Sequence, residues 1–219
     1  MVTKGADTSG ATYLLTKAYW SYLTHYTKPT DDLSGLEVLL KIVSDKRIKS
    51  SSRKIVGQQK VVCFTECSPL DIHALLEGEK NPEPAEGFRC RRSRHGVAVT
   101  RKALCEAGAL PVIHGNKGIR DCLPGNQLFR FQKFAGTGEL SDWTFEREFR
   151  FRGDVVLTEF NPADVILIVE DRKEMFQVLA QKKLPPFPVM PFDYVFSTDA
   201  PYARRTARQK AVEGYFPDA

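Results

Sequence analysis

An α+β domain is the fold class that the sequence predicts, and three observations predict it. Short apolar runs of strand length recur along the chain, as at Val61-Val62-Cys63-Phe64 and Val165-Ile166-Leu167-Ile168-Val169. Helical patterns fall between them at irregular intervals rather than in strict alternation. No internal repeat or domain boundary stands out, and 219 residues suit one domain of generous size.

The elements follow in order. The first ten residues, MVTKGADTSG, lack an apolar core, so 1–10 reads as a mobile tail and 11–219 as the single domain. The aromatic-rich stretch from Ala11 to Tyr22 reads as helical or as extending into a short strand at Leu23–Tyr26. Lys28-Pro29-Thr30-Asp31-Asp32 is a turn. Ser34 with Glu37 three residues on makes a capping box, and Leu36, Leu39, Leu40 and Val43 recur at helical spacing, so 35–46 is an amphipathic helix. Lys49 to Lys60 is polar and reads as a loop. A strand over Val61–Phe64 precedes a helix that starts at Pro69, where the missing N–H costs nothing, and runs through Leu76. Residues 78–94 form a long polar insertion with Pro82 and Pro84.

His95 to Thr100 is a strand, Arg101 to Ala107 a short helix ended by Gly108, and Leu110-Pro111-Val112-Ile113 opens another strand. Residues 116–126 look irregular, and Gln127 to Phe134 reads as helical. After the Gly136-Thr137-Gly138 break comes Trp143-Thr144-Phe145-Glu146-Arg147-Glu148-Phe149-Arg150, expected as a strand ending near Gly153. Val155–Leu157 and Val165–Val169 add strands, and Arg172 to Lys182 a helix. Pro185, Pro186, Pro188 and Pro191 force an extended link. Phe192 to Phe196 is the last strand, and Ala203 to Glu213 a basic helix.

Composition narrows the function classes. Hydrophobic residues make up 42% and charged residues 27%, the balance of an ordinary globular protein, and no apolar run reaches membrane-spanning length. No membrane partner is expected. Five cysteines without a Cys-x-x-Cys pair read as free thiols in a reducing cytoplasm, and no metal site is expected. The net charge of +5 is clustered in two blocks, Arg89, Arg91, Arg92 and Arg94, and Arg204, Arg205, Arg208 and Lys210. Such blocks suit phosphates, or simply solvated faces. No phosphate loop and no nucleophile elbow occurs.

The chemistry-bearing candidates are two carboxylates, Glu146 and Glu148, interleaved with Arg147, Arg150 and Arg152. On a strand, Glu146, Glu148 and Arg150 would share a face. Such a pair either works on a substrate or forms ion pairs with neighbouring arginines. His25 and Tyr26 offer a ring nitrogen and an aromatic face, although strand neighbours point opposite ways. Phe64 and Thr65 end a strand, where a hydroxyl can orient a carboxylate or contact a ligand.

These segments resemble a family. Leu23-Thr24-His25-Tyr26-Thr27, Val62-Cys63-Phe64-Thr65-Glu66-Cys67-Ser68-Pro69-Leu70, His95-Gly96-Val97-Ala98-Val99, Leu110-Pro111-Val112-Ile113-His114-Gly115 and the Trp143…Glu146-Arg147-Glu148-Phe149-Arg150 element, in that order, resemble the AbiGi-type abortive phage-resistance proteins. Their motif order is similar to that of the ADP-ribosyltransferase fold. The resemblance implies a split, twisted mixed β-sheet flanked by helices, with NAD as substrate in the cleft between its halves. It implies that His25 contacts the adenosine ribose, Tyr26 flanks the nicotinamide, Thr65 is the hydroxyl residue beside Phe64, and Glu148 holds the nicotinamide ribose with Glu146 assisting. A second tyrosine of the well-known transferases is replaced here by Phe64-Thr65.

The expected function is therefore an NAD-dependent ADP-ribosyltransferase-like effector or toxin in bacterial phage defence. Nucleic acid or protein would be the acceptor, contacted by Arg91, Arg92, Arg94 and Arg147, and a cognate toxin or antitoxin would be a partner. The rivals are an inactive binding module acting as antitoxin or sensor, which predicts Glu148 buried in an ion pair with an arginine and no open cleft beside His25, and a nucleic-acid-binding effector.

Overall fold

The structure, a computed structural model, describes residues 20–78, 93–134, 146–181 and 187–192. The N-terminal tail, Arg91 and Arg92, the Gly136–Gly138 break, Trp143, the expected 193–196 strand residues and the C-terminal basic helix lie outside the described residues.

The chain is α+β, with several sheets and few helices. The strands are β1 (Tyr22–Tyr26), β2 (Arg47–Ile48), β3 (Val61–Phe64), β4 (Gly96–Thr100), β5 (Leu110–Pro111), β6 (Ile113–Gly115), β7 (Phe131–Lys133), β8 (Phe149–Arg152), β9 (Val155–Val156), β10 (Val165–Val169) and β11 (Val189–Pro191). The helices are α1 (Gly35–Asp45), α2 (Pro69–Gly78), α3 (Arg101–Glu106), α4 (Lys117–Cys122) and α5 (Arg172–Leu179). One sheet has the order β1-β4-β10-β11 and is mixed, because β11 runs parallel to β10 while the other pairs are antiparallel. A second, antiparallel sheet has the order β3-β8-β5. Two-stranded pairs, β2 with β9 and β6 with β7, complete the set.

Among the described residues, the two main sheets meet at one backbone bridge. The Thr24 amide donates to the Thr65 carbonyl at 2.8 Å, and the Thr65 amide returns a bond to Thr24 at 2.9 Å. Strand alternation then sorts the side chains. Leu23, Val97, Val99, Val165, Leu167 and Val169 enter the main core, with Phe64 and Phe149 from the second sheet and Leu39 and Val43 from α1. On the other face, Tyr26, Ala98 and Ile168 pack with Ile72 of α2 and Phe192.

α1 follows its sequence signals closely. The Ser34 amide donates to Glu37 Oε2 at 2.7 Å, and the Glu37 amide donates to Ser34 Oγ at 3.3 Å. Lys46 turns left-handed at φ 51° and ends the helix. Outside the Glu146–Gly153 segment, four expectations differ from the structure. The 127–134 segment is a 3-10 turn over Gly125–Arg130 followed by β7, because Phe129 and Phe131 both turn inward, which an α-helix cannot give at that spacing. Residues 116–126 contain α4, capped by the Asn116 side chain. The run from Leu110 changes sheets at Val112, so β5 and β6 belong to different pairs. The Pro-rich link forms β11, which runs alongside β10 over Val189–Pro191.

Ser34→Ala removes one half of the capping box. It should cost about 1 kcal/mol of unfolding free energy. Chemical denaturation checks this, and an unchanged midpoint would show that the cap contributes nothing.

Candidate functional site

The strand expected across Glu146–Gly153 begins only at Phe149. Arg147 takes a left-handed backbone, φ 45°, which breaks extended alternation before the strand starts. Glu146 and Glu148 therefore do not share a strand face. The Glu146 carbonyl instead closes the junction of the sheets. It accepts from the Thr65 hydroxyl at 2.7 Å and from the Glu66 amide at 3.2 Å. The Glu146 residue is buried.

Glu148 is held by Arg150. Arg150 Nε donates to Glu148 Oε1 at 2.8 Å, and Nη2 donates to Oε2 at 3.3 Å. The remaining donors of the guanidinium go to the Phe129 carbonyl at 2.6 Å, the Phe131 carbonyl at 3.1 Å and Gln132 Oε1 at 2.9 Å. The Arg150 side chain is 3% exposed and that of Glu148 12%. The Glu148 backbone is anchored as well, since its carbonyl accepts from the Val112 amide at 2.8 Å.

Cys63 stands opposite Arg150 in the β3–β8 register. Burial pushes its thiol pKa up, and the neighbouring Glu148 charge and hydrogen bond push it further, against weaker opposing pulls from Arg150 and Lys28. Thiolate is accordingly disfavoured, and Cys63 is a neutral neighbour of the carboxylate rather than a nucleophile. His25 completes the group from β1. Its Nδ1 lies 2.9 Å from the Cys63 carbonyl, and its ring stands edge-on to Phe64 with centroids 5.9 Å apart. A carbonyl only accepts, so Nδ1 carries the proton and in the neutral ring Nε2 holds the lone pair.

Cys63 thus borders both candidates, with His25 on its carbonyl and Glu148 beside its thiol. Phe64 and Thr65 serve the frame. Phe64 is core, and Thr65 donates its hydroxyl to Glu146 while accepting from the Cys67 amide at 3.0 Å. Tyr26 points to the opposite face of β1 and is buried with Ile72 and Phe192, away from His25. Arg94 pairs with Glu170 at 2.6 Å and lies over the Phe192 ring. Arg147 turns to Glu66, 3.4 Å from Nε to Oε2. Arg150, expected on the Glu148 face or as its ion-pair partner, does pair with it.

A second polar cluster, His95, Glu170 and Glu174, brings its ligand atoms within 4.8 Å of one another. His95 Nε2 already lies 2.6 Å from Glu174, Arg94 holds Glu170, and Glu174 also accepts from the Glu170 amide at 2.9 Å. Both carboxylates of that network already have partners. Among the described residues, no helix is long and apolar enough to cross a membrane. No family model, no curated protein and no solved structure matches the chain.

Two outcomes follow from this geometry. Arg150→Met would leave the Glu148 carboxylate without its partner and orphan three acceptors on 129–132. It should destabilise the fold by about 3 kcal/mol or more, measured by denaturant unfolding; a loss below about 1 kcal/mol would contradict the assigned bonds. In the native protein at mildly alkaline pH, alkylation followed by peptide mapping should label exposed Cys122 and spare Cys63 until the chain is unfolded. Equal labelling rates would refute the raised thiol pKa.

Proposed function

We propose that the chain is an NAD-consuming ADP-ribosyltransferase-like effector of bacterial phage defence. The observation that carries this reading is Cys63, whose carbonyl takes His25 Nδ1 at 2.9 Å and whose thiol neighbours Glu148, beside the bridge that joins the two sheets. Glu148 accepts a hydrogen bond from the 2′-hydroxyl of the nicotinamide ribose and faces the positive charge that develops at C1′. The N-glycosidic bond breaks, nicotinamide leaves with the bonding electrons, and an acceptor nucleophile on nucleic acid or protein takes the ribosyl group. His25 contacts the adenosine ribose. The bidentate hold of Arg150 fixes the carboxylate before substrate arrives, which lowers the entropic cost of reaching the reactive geometry.

The same pair favours a second reading. Both Glu148 oxygens are engaged by Arg150, as an inactive binding module, an antitoxin or sensor, would have them. The two readings diverge at the need for substrate to share the carboxylate with the guanidinium.

Labelled NAD incubated with DNA, RNA or lysate protein should release nicotinamide, and Glu148→Gln should lower that rate by about a hundredfold or more. A wild-type protein that neither turns over nor binds NAD would rule out the transferase and leave the binding module.

A further inference from the structure

A cleft of about 750 Å³ opens away from this group, and none of His25, Cys63, Glu148 or Arg150 lines it. Its walls include Trp20, Glu66, Arg101, Lys102, Arg147 and Asp164. Glu66 is the organising residue. Its carboxylate takes Arg101 Nη1 at 2.5 Å on one oxygen and faces Arg147 Nε at 3.4 Å on the other. The latter contact lacks hydrogen-bond geometry. Arg147 reaches this position through its left-handed backbone, a conformation unfavourable for a side-chain-bearing residue and retained most often where function requires it. Arg147 also donates from Nη2 to the Glu66 carbonyl at 3.3 Å.

Two guanidiniums share the single carboxylate of Glu66, so donors remain for an anion, while Lys102 pairs with Glu106 and the Asp164 carboxylate accepts the Thr100 hydroxyl at 2.8 Å. The Arg101 guanidinium stacks over Phe149 with its side chain still more than half exposed, so its fork is positioned and accessible together. Two guanidiniums on one carboxylate match phosphate oxygens, and Trp20, packed against the Tyr22 ring, is the aromatic wall nearest to where a base would lie.

We propose that this cleft binds a nucleotide unit, with its phosphate on Arg101 and Arg147 and its base against Trp20. The unit is either a free nucleotide or part of a single strand. The test is equilibrium binding of AMP by calorimetry and of a fluorescent oligothymidylate by polarisation. NAD is absent from both arms, so the outcome is separate from that of the transferase experiment. Binding should weaken as salt rises, and Arg101→Ala and Arg147→Gln should each weaken it at least about tenfold, while Lys41→Ala on α1 leaves it unchanged. Glu66→Gln, which frees both guanidiniums, should hold or tighten binding, whereas a purely structural triad would lose it. Arg-dependent binding of AMP alone assigns a free nucleotide, and of the oligothymidylate alone a strand; either supports the proposal. Binding of neither probe, or binding indifferent to both arginine substitutions, overturns it.

Discussion

Every donor of the Arg150 guanidinium has an acceptor, and the placement of Glu148 depends on that fact. An arginine carries five N–H groups in a rigid fork. Here Nε and Nη2 reach the two oxygens of Glu148, Nη1 divides between the Phe129 and Phe131 carbonyls, and the last Nη2 hydrogen goes to Gln132. Taking a guanidinium out of water costs several kcal/mol, which only near-complete pairing offsets. One side chain therefore ties β8 to the turn and strand at 125–133 and fixes the carboxylate that precedes it. The Phe129 and Phe131 rings, buried beside those carbonyls, exclude the water that would otherwise compete.

The junction of the sheets supplies the other half of the frame. Thr24 and Thr65 join the sheets through their backbones, and the Thr65 hydroxyl secures the Glu146 carbonyl. This sets β1, the end of β3 and the approach to β8 side by side. Residues on neighbouring strand ends then converge without any of them being close in sequence: His25 reaches the Cys63 carbonyl, and the Cys63 thiol meets Glu148. Arg147 turns the other way and joins Glu66 and Arg101. The chain between Glu146 and Arg150 thus sends its charged groups to two separate places. The left-handed turn at Arg147 is what separates them.

Local signals were legible in the sequence and long-range ones were not. The Ser34–Glu37 box, the helical spacing of Leu39 and Val43, and the uninterrupted apolar run of β10 each report on a few neighbouring residues, and each gave its element. Gln127–Phe134 misled because a short apolar run fits a helix or a strand equally well until its partner is known. The partner of β7 is β6, and the acceptor role of its carbonyls depends on Arg150. The Glu146–Glu148 spacing suggested a shared strand face, and a single positive φ removed it. His25 and Glu148 stood out by residue type. Glu66 did not, because its partners Arg101 and Arg147 are far from it in the chain. Tyr26, adjacent to His25, was separated from it by the alternation of the strand that carries both.

The account turns on whether substrate enters beside Glu148 while Arg150 keeps hold of it. A crystal structure of Glu148→Gln at saturating NAD tests this most directly. The account predicts the nicotinamide ribose 2′-hydroxyl within hydrogen-bond distance of the side chain at position 148, with His25 on the adenosine ribose. NAD bound elsewhere on the molecule, or excluded from the His25–Cys63 face, would contradict it.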